Sequence, residues 1–209
     1  MFLIVVGLSA CGKKSNEQLA QTYFKMALMD VAESPDLIAG CKRALGDIDK
    51  ALENAQEPEY YALKGTLLFK LGQYEQSEFI FNRALDITTD GVLKAEIMNN
   101  LACLWAHQGK NDKAAAVWES LKSDIFYKTP EVAMVNLGKL CAQKGDMSGA
   151  DRSLHEAVMI APSYIDAHYY RALVARQQGK SDVVKQECGI VLTLAPTHEG
   201  AQQLARMVV

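Results

Sequence analysis

The sequence lacks a long hydrophobic run even at its start, where the opening "MFLIVVGLSACGKK", without charge over its first ten residues, offers only Phe2 to Leu8. That stretch falls far short of the ~20 apolar residues a membrane-spanning helix needs. Excess charge of either sign is also missing. Twenty-two basic and 25 acidic side chains, mixed along 209 residues, leave a net charge of −3, which gives no basic footprint for nucleic acid. Cysteine is sparse: apart from Cys11 there are Cys41, Cys103, Cys141 and Cys188, with no CxxC spacing. A chain of this size does not need disulfide staples, so these four read as buried thiols acting as small hydrophobes. The four histidines, His107, His155, His168 and His198, make no i, i+4 pair and stand at no metal-ligand spacing. No glycine-rich loop follows a strand, because no strand pattern is present. Cys188 beside Glu187 lacks a positioned base, and Asp47 and Asp49 point to different helix faces. These absences predict a protein with no catalytic residues, metal, cofactor or small-molecule substrate.

What the opening does contain is Leu8-Ser9-Ala10-Cys11, small residues where a signal peptidase needs extended backbone. The quartet resembles the lipobox of bacterial lipoproteins, although no positive residue precedes the apolar run. A buried terminal strand is the competing reading. The resemblance implies a signal peptide at 1–10, lipidation at Cys11, a short tether at 11–15 and stable anchoring through several acyl chains. Gly12 stands after the cysteine in place of an inner-membrane-retaining aspartate, which implies an outer-membrane location facing the periplasm.

Four later stretches align with one another: "YYALKGTLLFKLGQYEQSEFIFNRALDI", "IMNNLACLWAHQGKNDKAAAVWESLKSD", "VAMVNLGKLCAQKGDMSGADRSLHEAVMIAP" and "DAHYYRALVARQQGKSDVVKQECGIVLTLAP". In each, a helical pattern ends at a glycine: Gly72, Gly109, Gly145 and Gly179, separated by 37, 36 and 34 residues. Glycine suits the left-handed conformation that often closes a helix. The pattern resembles the tetratricopeptide repeat, a helix-turn-helix unit of about 34 residues. Its eighth position, where the helices cross closely, holds Gly65, Ala102, Gly138 and Ala172. Its twentieth holds Ser77, Ala114, Ala150 and Val184. Its twenty-seventh holds Ala84, Leu121, Ala157 and Val191, and the closing proline occurs only as Pro162 and Pro196. Trp105 and Trp118 fall at large apolar packing positions.

The expected fold is all-α: a right-handed superhelical solenoid of about five tetratricopeptide-like helix pairs plus a C-terminal capping helix. The repeat domain would span 16–209, with a degenerate repeat at 16–57, repeats at 58–91, 95–128, 131–164 and 165–196, and the cap at 197–209. Ser34 and Asp36 are candidate caps, standing before and just inside the second helix of the degenerate repeat. "DITTDGVLKAEI" and "SDIFYKTPEVA" should lengthen two turns between repeats by three and two residues. Phe126 and Tyr127 in the latter either tuck between units or contact a partner.

The repeat resemblance implies that first helices line a concave surface through fixed motif positions. Read onto this chain, the peptide-binding groove is Thr66, Phe69, Lys70, Asn99, Cys103, His107, Val135, Lys139, Gln143, Tyr169, Leu173, Arg176 and Gln177. Glu59 and Glu96 occupy the second position of their units in the same lining. The mixture suits a peptide or partner helix, with polar groups from Asn99, Lys139, Arg176 and Gln177 and apolar pockets at Phe69, Val135 and Tyr169.

A lipobox followed by "NNLACLWAHQGKNDKAAAVW", "YKTPEVAMVNLGKLCAQKGDMSGADRSLHEAV" and "APSYIDAHYYRALVARQQGK" resembles the PilF/PilW/Tgl group of type IV pilus biogenesis lipoproteins, the pilotins. That resemblance implies a non-enzymatic outer-membrane scaffold whose partner is a secretin subunit, and whose role is to promote secretin assembly. The sequence departs from the group in having about five units where six are expected. The alternative is a generic periplasmic repeat adaptor docking cell-wall enzymes or other envelope proteins.

Overall fold

A computed structural model of the chain describes the backbone of residues 5–207 and the side chains of 15–207. The expected leader at 1–10 and the Cys11 side chain therefore lie wholly or partly outside the described residues. Every described regular element is helical. In chain order they are α1 Val5–Glu33, α2 Leu37–Asn54, α3 Pro58–Lys70, α4 Tyr74–Ile87, α5 Gly91–His107, α6 Asn111–Leu121, α7 Pro130–Gln143, α8 Met147–Ile160, α9 Ile165–Gln177, α10 Ser181–Leu194 and α11 Glu199–Arg206. The all-α expectation holds. The chain divides into two compact units, residues 1–104 and 105–209.

In the first unit, α2 buries Cys41, Ala44, Ile48, Ala51 and Leu52, a spacing of three and four residues that lays one stripe against a neighbour. The stripe meets Ala20 and Ala27 of α1 and Tyr60 and Leu67 of α3. Asp36 is the N-cap of α2, its carboxylate accepting from the amides of Ile38 at 2.9 Å and Ala39 at 3.2 Å. It stands before the helix and not just inside it. Ser34 bonds the Asp36 carbonyl, at 2.6 Å, and caps nothing directly.

The α3–α4 pair shows why small residues recur at the crossings. A Cβ on Gly65 would stand 2.6 Å from the ring of Phe81, which is fully buried. Beside that contact, the buried Ser77 hydroxyl donates to the Gly65 carbonyl at 2.7 Å. One crossing thus joins an aromatic ring, a bare backbone and a cross-helix hydrogen bond. At the end of α3, Gly72 has φ +76°, with Gly109, Gly145 and Gly179 at +75°, +83° and +71°. A side chain in that region costs about 1–2 kcal/mol, which accounts for glycine at all four helix-pair turns. The segment expected to lengthen the next turn instead extends a helix. The Asp90 carboxylate accepts from the amides of Val92 at 2.7 Å and Leu93 at 3.3 Å, so α5 begins at Gly91.

In the second unit the same crossing recurs: a Cβ on Gly138 would stand 2.6 Å from Leu154 Cγ. Met134, Val135, Ala150, Leu154, Ala157, Ala167 and Val174 form one core cluster. Trp118 is buried, whereas Trp105 is half-buried with the Lys113 ammonium over its ring at 5.6 Å. In the connection between α6 and α7, Tyr127 tucks into the core while Phe126 remains half-exposed. The two aromatics thus divide between the two expectations.

A polar cluster joins α9 to α10. Glu187 is only 1% exposed. It receives Arg171 Nη1 on one oxygen and faces His168 Nδ1 with the other, both at 2.5 Å. His168 Nε2 lies 2.9 Å from the Pro162 carbonyl, so both ring nitrogens face acceptors and the ring is fixed in place. A buried carboxylate holds its charge without penalty only when its oxygens are met in this way.

Two measurements follow from these packings. Gly65→Ala should destabilise the protein by about 1–3 kcal/mol, because the Phe81 ring has no space to yield. Gly46→Ala, where an added Cβ meets nothing within 4 Å, should instead stabilise by about 0.5–1 kcal/mol; urea melts in which both variants change in the same direction, or in which the two signs are reversed, would contradict the close-crossing account. Glu187→Ala, which strands Arg171 and His168, should lower stability by about 3–5 kcal/mol, and a loss below 1 kcal/mol would show that the cluster is not a buried charge centre.

Candidate protein-interaction surface

The thirteen groove residues expected from the repeat register fall into three physical situations. Lys70, His107, Gln143, Arg176 and Gln177 are exposed. Thr66, Phe69, Asn99, Cys103, Lys139, Tyr169 and Leu173 are half-buried, most of them already engaged within the chain. Val135 is the exception: at 3% exposed it belongs to the α7–α8 core. The register places it on the first helix of its unit as expected, but the packing of α8 and α9 around α7 leaves it no open face. It supplies no apolar pocket.

The engaged residues have identifiable neighbours. Thr66 donates back to its own Ala62 carbonyl at 3.0 Å. Phe69 lies against Tyr74, ring centroids 6.0 Å apart. Lys139 carries its ammonium 4.6 Å over the Tyr170 ring, a contact worth about 0.5–1 kcal/mol at an exposed site. Tyr169 sits between Tyr170, at 5.6 Å, and His198, at 4.6 Å. Gly200 of α11 packs so closely on the Tyr169 ring that no Cβ fits there, and Leu173 packs against a cluster that includes Leu204 of α11. The capping helix therefore occupies part of the face that Tyr169 and Leu173 were expected to offer.

The first unit holds two open depressions that share lining residues. One, of about 260 Å³, runs between α3 and α5, with Thr66, Leu63 and Ala62 on one side, Leu93, Glu96, Ile97 and Asn100 on the other, and Phe24 of α1 and Glu59 at its end. The second, of about 360 Å³, continues from Phe24 and Glu59 to Glu17, Gln21, Ala55, Glu57 and Tyr60. Of the thirteen expected residues only Thr66 lines either. The register missed Phe24, Glu17 and Gln21 because α1 belongs to the degenerate repeat, where no motif position marks them. It missed Glu57 because that residue precedes α3, flanking Pro58 at the helix start. The Glu-Pro-Glu triplet was the available signal.

Burial, and then Glu187, push the Cys188 thiol up, and burial, then Asp146, push up Cys141, so neither is an activated nucleophile. Burial drives the Tyr164 hydroxyl to about 12. None of the four later cysteines is joined in a disulfide; Cys41 and Cys188 are buried, while Cys103 and Cys141 are partly exposed. Among the described residues no grouping of three or more His, Cys, Asp or Glu side chains could hold a metal ion. No helix among them is long and apolar enough to cross a membrane.

Comparison with known proteins agrees with this architecture. The tetratricopeptide repeat family model matches residues 58–90, which contain α3 and α4. The TPR repeat-containing protein MJ1428 of Methanocaldococcus jannaschii is 25% identical over 146 residues, 69% of this chain. The chain spans about a quarter of that curated relative's length, 24%. The structure of PilF from Pseudomonas aeruginosa superposes with a TM-score of 0.75 at 13% identity, covering 93% of this chain and 84% of the other. PilW, described as a widely conserved type IV pilus biogenesis factor, superposes at 0.74 and 18% identity, covering 91% and 90%. The chain thus carries a tetratricopeptide repeat at 58–90 and has the fold of tetratricopeptide-repeat proteins.

Proposed function

We propose that this chain is a non-enzymatic protein-interaction scaffold, and specifically a lipid-anchored pilotin that promotes secretin assembly for type IV pilus biogenesis. The observation that carries this reading is the extent of the likeness to PilF and PilW. It runs over 84% and 90% of those chains and is not confined to one repeat. The Leu8-Ser9-Ala10-Cys11 quartet supports an acylated Cys11 and an outer-membrane location facing the periplasm. The lack of any catalytic grouping among the described residues is consistent with a scaffold, whose helix pairs offer surface and no reacting centre.

The mechanism is one of concentration. A groove tethered to a membrane meets its client in two dimensions, and the linked arrangement raises effective concentration without any new contact. More than one acyl chain is needed for a stable tether, since each buried methylene contributes about 0.8 kcal/mol. The secretin subunit would be held where it must insert, and ring formation would follow from proximity.

Deletion of the gene should abolish heat-stable secretin multimers and twitching. Normal multimers in the deletion strain would overturn the pilotin reading. Cys11→Ser should leave the helical circular dichroism spectrum unchanged while moving the protein out of the membrane fraction, and an unchanged membrane fraction would overturn the anchor.

A further inference from the structure

The two depressions of the first unit share Phe24 and Glu59, so they form one continuous groove. Four carboxylates line it, Glu17, Glu57, Glu59 and Glu96, and no lysine or arginine does. None of the four forms an ion pair among the described residues, while Lys64 of α3 is paired with Asp49 at 2.6 Å. The walls between the carboxylates are aromatic and aliphatic. Phe24 and Tyr60 stand with ring centroids 4.9 Å apart.

A second, independent feature lies within this groove. Tyr60 is only 5% exposed, yet its hydroxyl makes no hydrogen bond among the described residues, although it lines the larger depression. Burial first, then the charges of Glu57 and Glu59, push its pKa up, and both carboxylates line the same depression. A nearly buried phenol normally finds a partner. Here the residue lines the groove and no group among the described residues bonds its hydroxyl.

We propose that this groove binds a polypeptide segment through its arginine side chains, the guanidinium stacking on Phe24 and Tyr60 while bonding Glu57, Glu59 and the Tyr60 oxygen. The inference rests on the scaffold reading and narrows it to a partner chemistry. Arginine fits better than lysine because its planar fork stacks on rings and spans two acceptors at once. Glu17 and Glu96 extend the acidic lining to either side, so that a segment with several cations lies along the groove. The aliphatic residues Leu63 and Ile97 receive its apolar side chains.

The test uses the full chain and two fluorescently labelled peptides, one alternating arginine with leucine and the other carrying citrulline in place of every arginine. Citrulline keeps the shape and removes the charge. The arginine peptide should bind at least about fivefold more tightly, the size of one partly exposed ion pair. The preference should vanish in Glu57→Gln/Glu59→Gln and weaken in Tyr60→Phe, with melting temperatures unchanged. It should survive in Glu75→Gln/Asp86→Asn, which removes as much charge from α4. Equal affinity for both peptides, or a preference that persists in Glu57→Gln/Glu59→Gln, would overturn the groove and leave the scaffold reading standing. Failure to bind either peptide and the secretin subunit alike would remove both.

Discussion

Where α3 crosses α4, the Phe81 ring lies on the bare backbone of Gly65, and where α7 crosses α8, Leu154 does the same to Gly138. This close approach is the constraint on which the rest depends. It lets a second helix press its large side chain into the first, so each pair becomes a thin, rigid slab with its apolar residues turned inward. A helix pair alone cannot cover that apolar area, and the surplus must meet the next pair. The chain's other regularities serve the same end. Left-handed glycines at the four turns reverse the chain within three residues, and Ser77 ties the crossing with a hydrogen bond to the Gly65 carbonyl.

Because the crossings consume the apolar residues of both helices, little chemistry is left to the interior. In the buried polar cluster of His168, Arg171 and Glu187 each group meets another or a backbone carbonyl, and Arg171 reaches on to Asp151 of α8 at 3.4 Å. It locks α9 to α10 and presents nothing to a substrate. What remains for function is the outer face of the first helices, and there the two units differ. In the second, Lys139 lies over Tyr170 and α11 packs on Tyr169 and Leu173, so the face is partly satisfied by the chain itself. In the first, Phe24, Tyr60 and four carboxylates line an open groove.

The fold was legible because its marks are periodic: small residues at fixed positions, glycine at each turn and apolar stripes every three or four residues. Local register also identified Trp118 as core. Its errors arose where tertiary neighbours decide exposure. Val135 carries a groove position but is enclosed by α8 and α9, and Tyr169 is overlaid by α11, the second helix after its own. The Asp90 carboxylate captures two amides and turns an apparent turn insertion into helix. The acidic groove was only half legible. Glu59 and Glu96 stand at motif positions, but Glu17 and Phe24 come from a repeat too degenerate to number, and the Glu187 cluster joins residues far apart in sequence that only packing brings together.

The account's central claim is that first-helix surfaces, and the open groove of the first unit above all, are where a polypeptide is held. Hydrogen exchange measured by mass spectrometry on the full chain, with and without the secretin subunit, tests it most directly. Slowed exchange is expected in segments 17–24, 57–66 and 93–100, with the exposed side of α4 around Phe79 unchanged. Protection confined to α4, or spread evenly over the chain with no maximum at the groove, would contradict it.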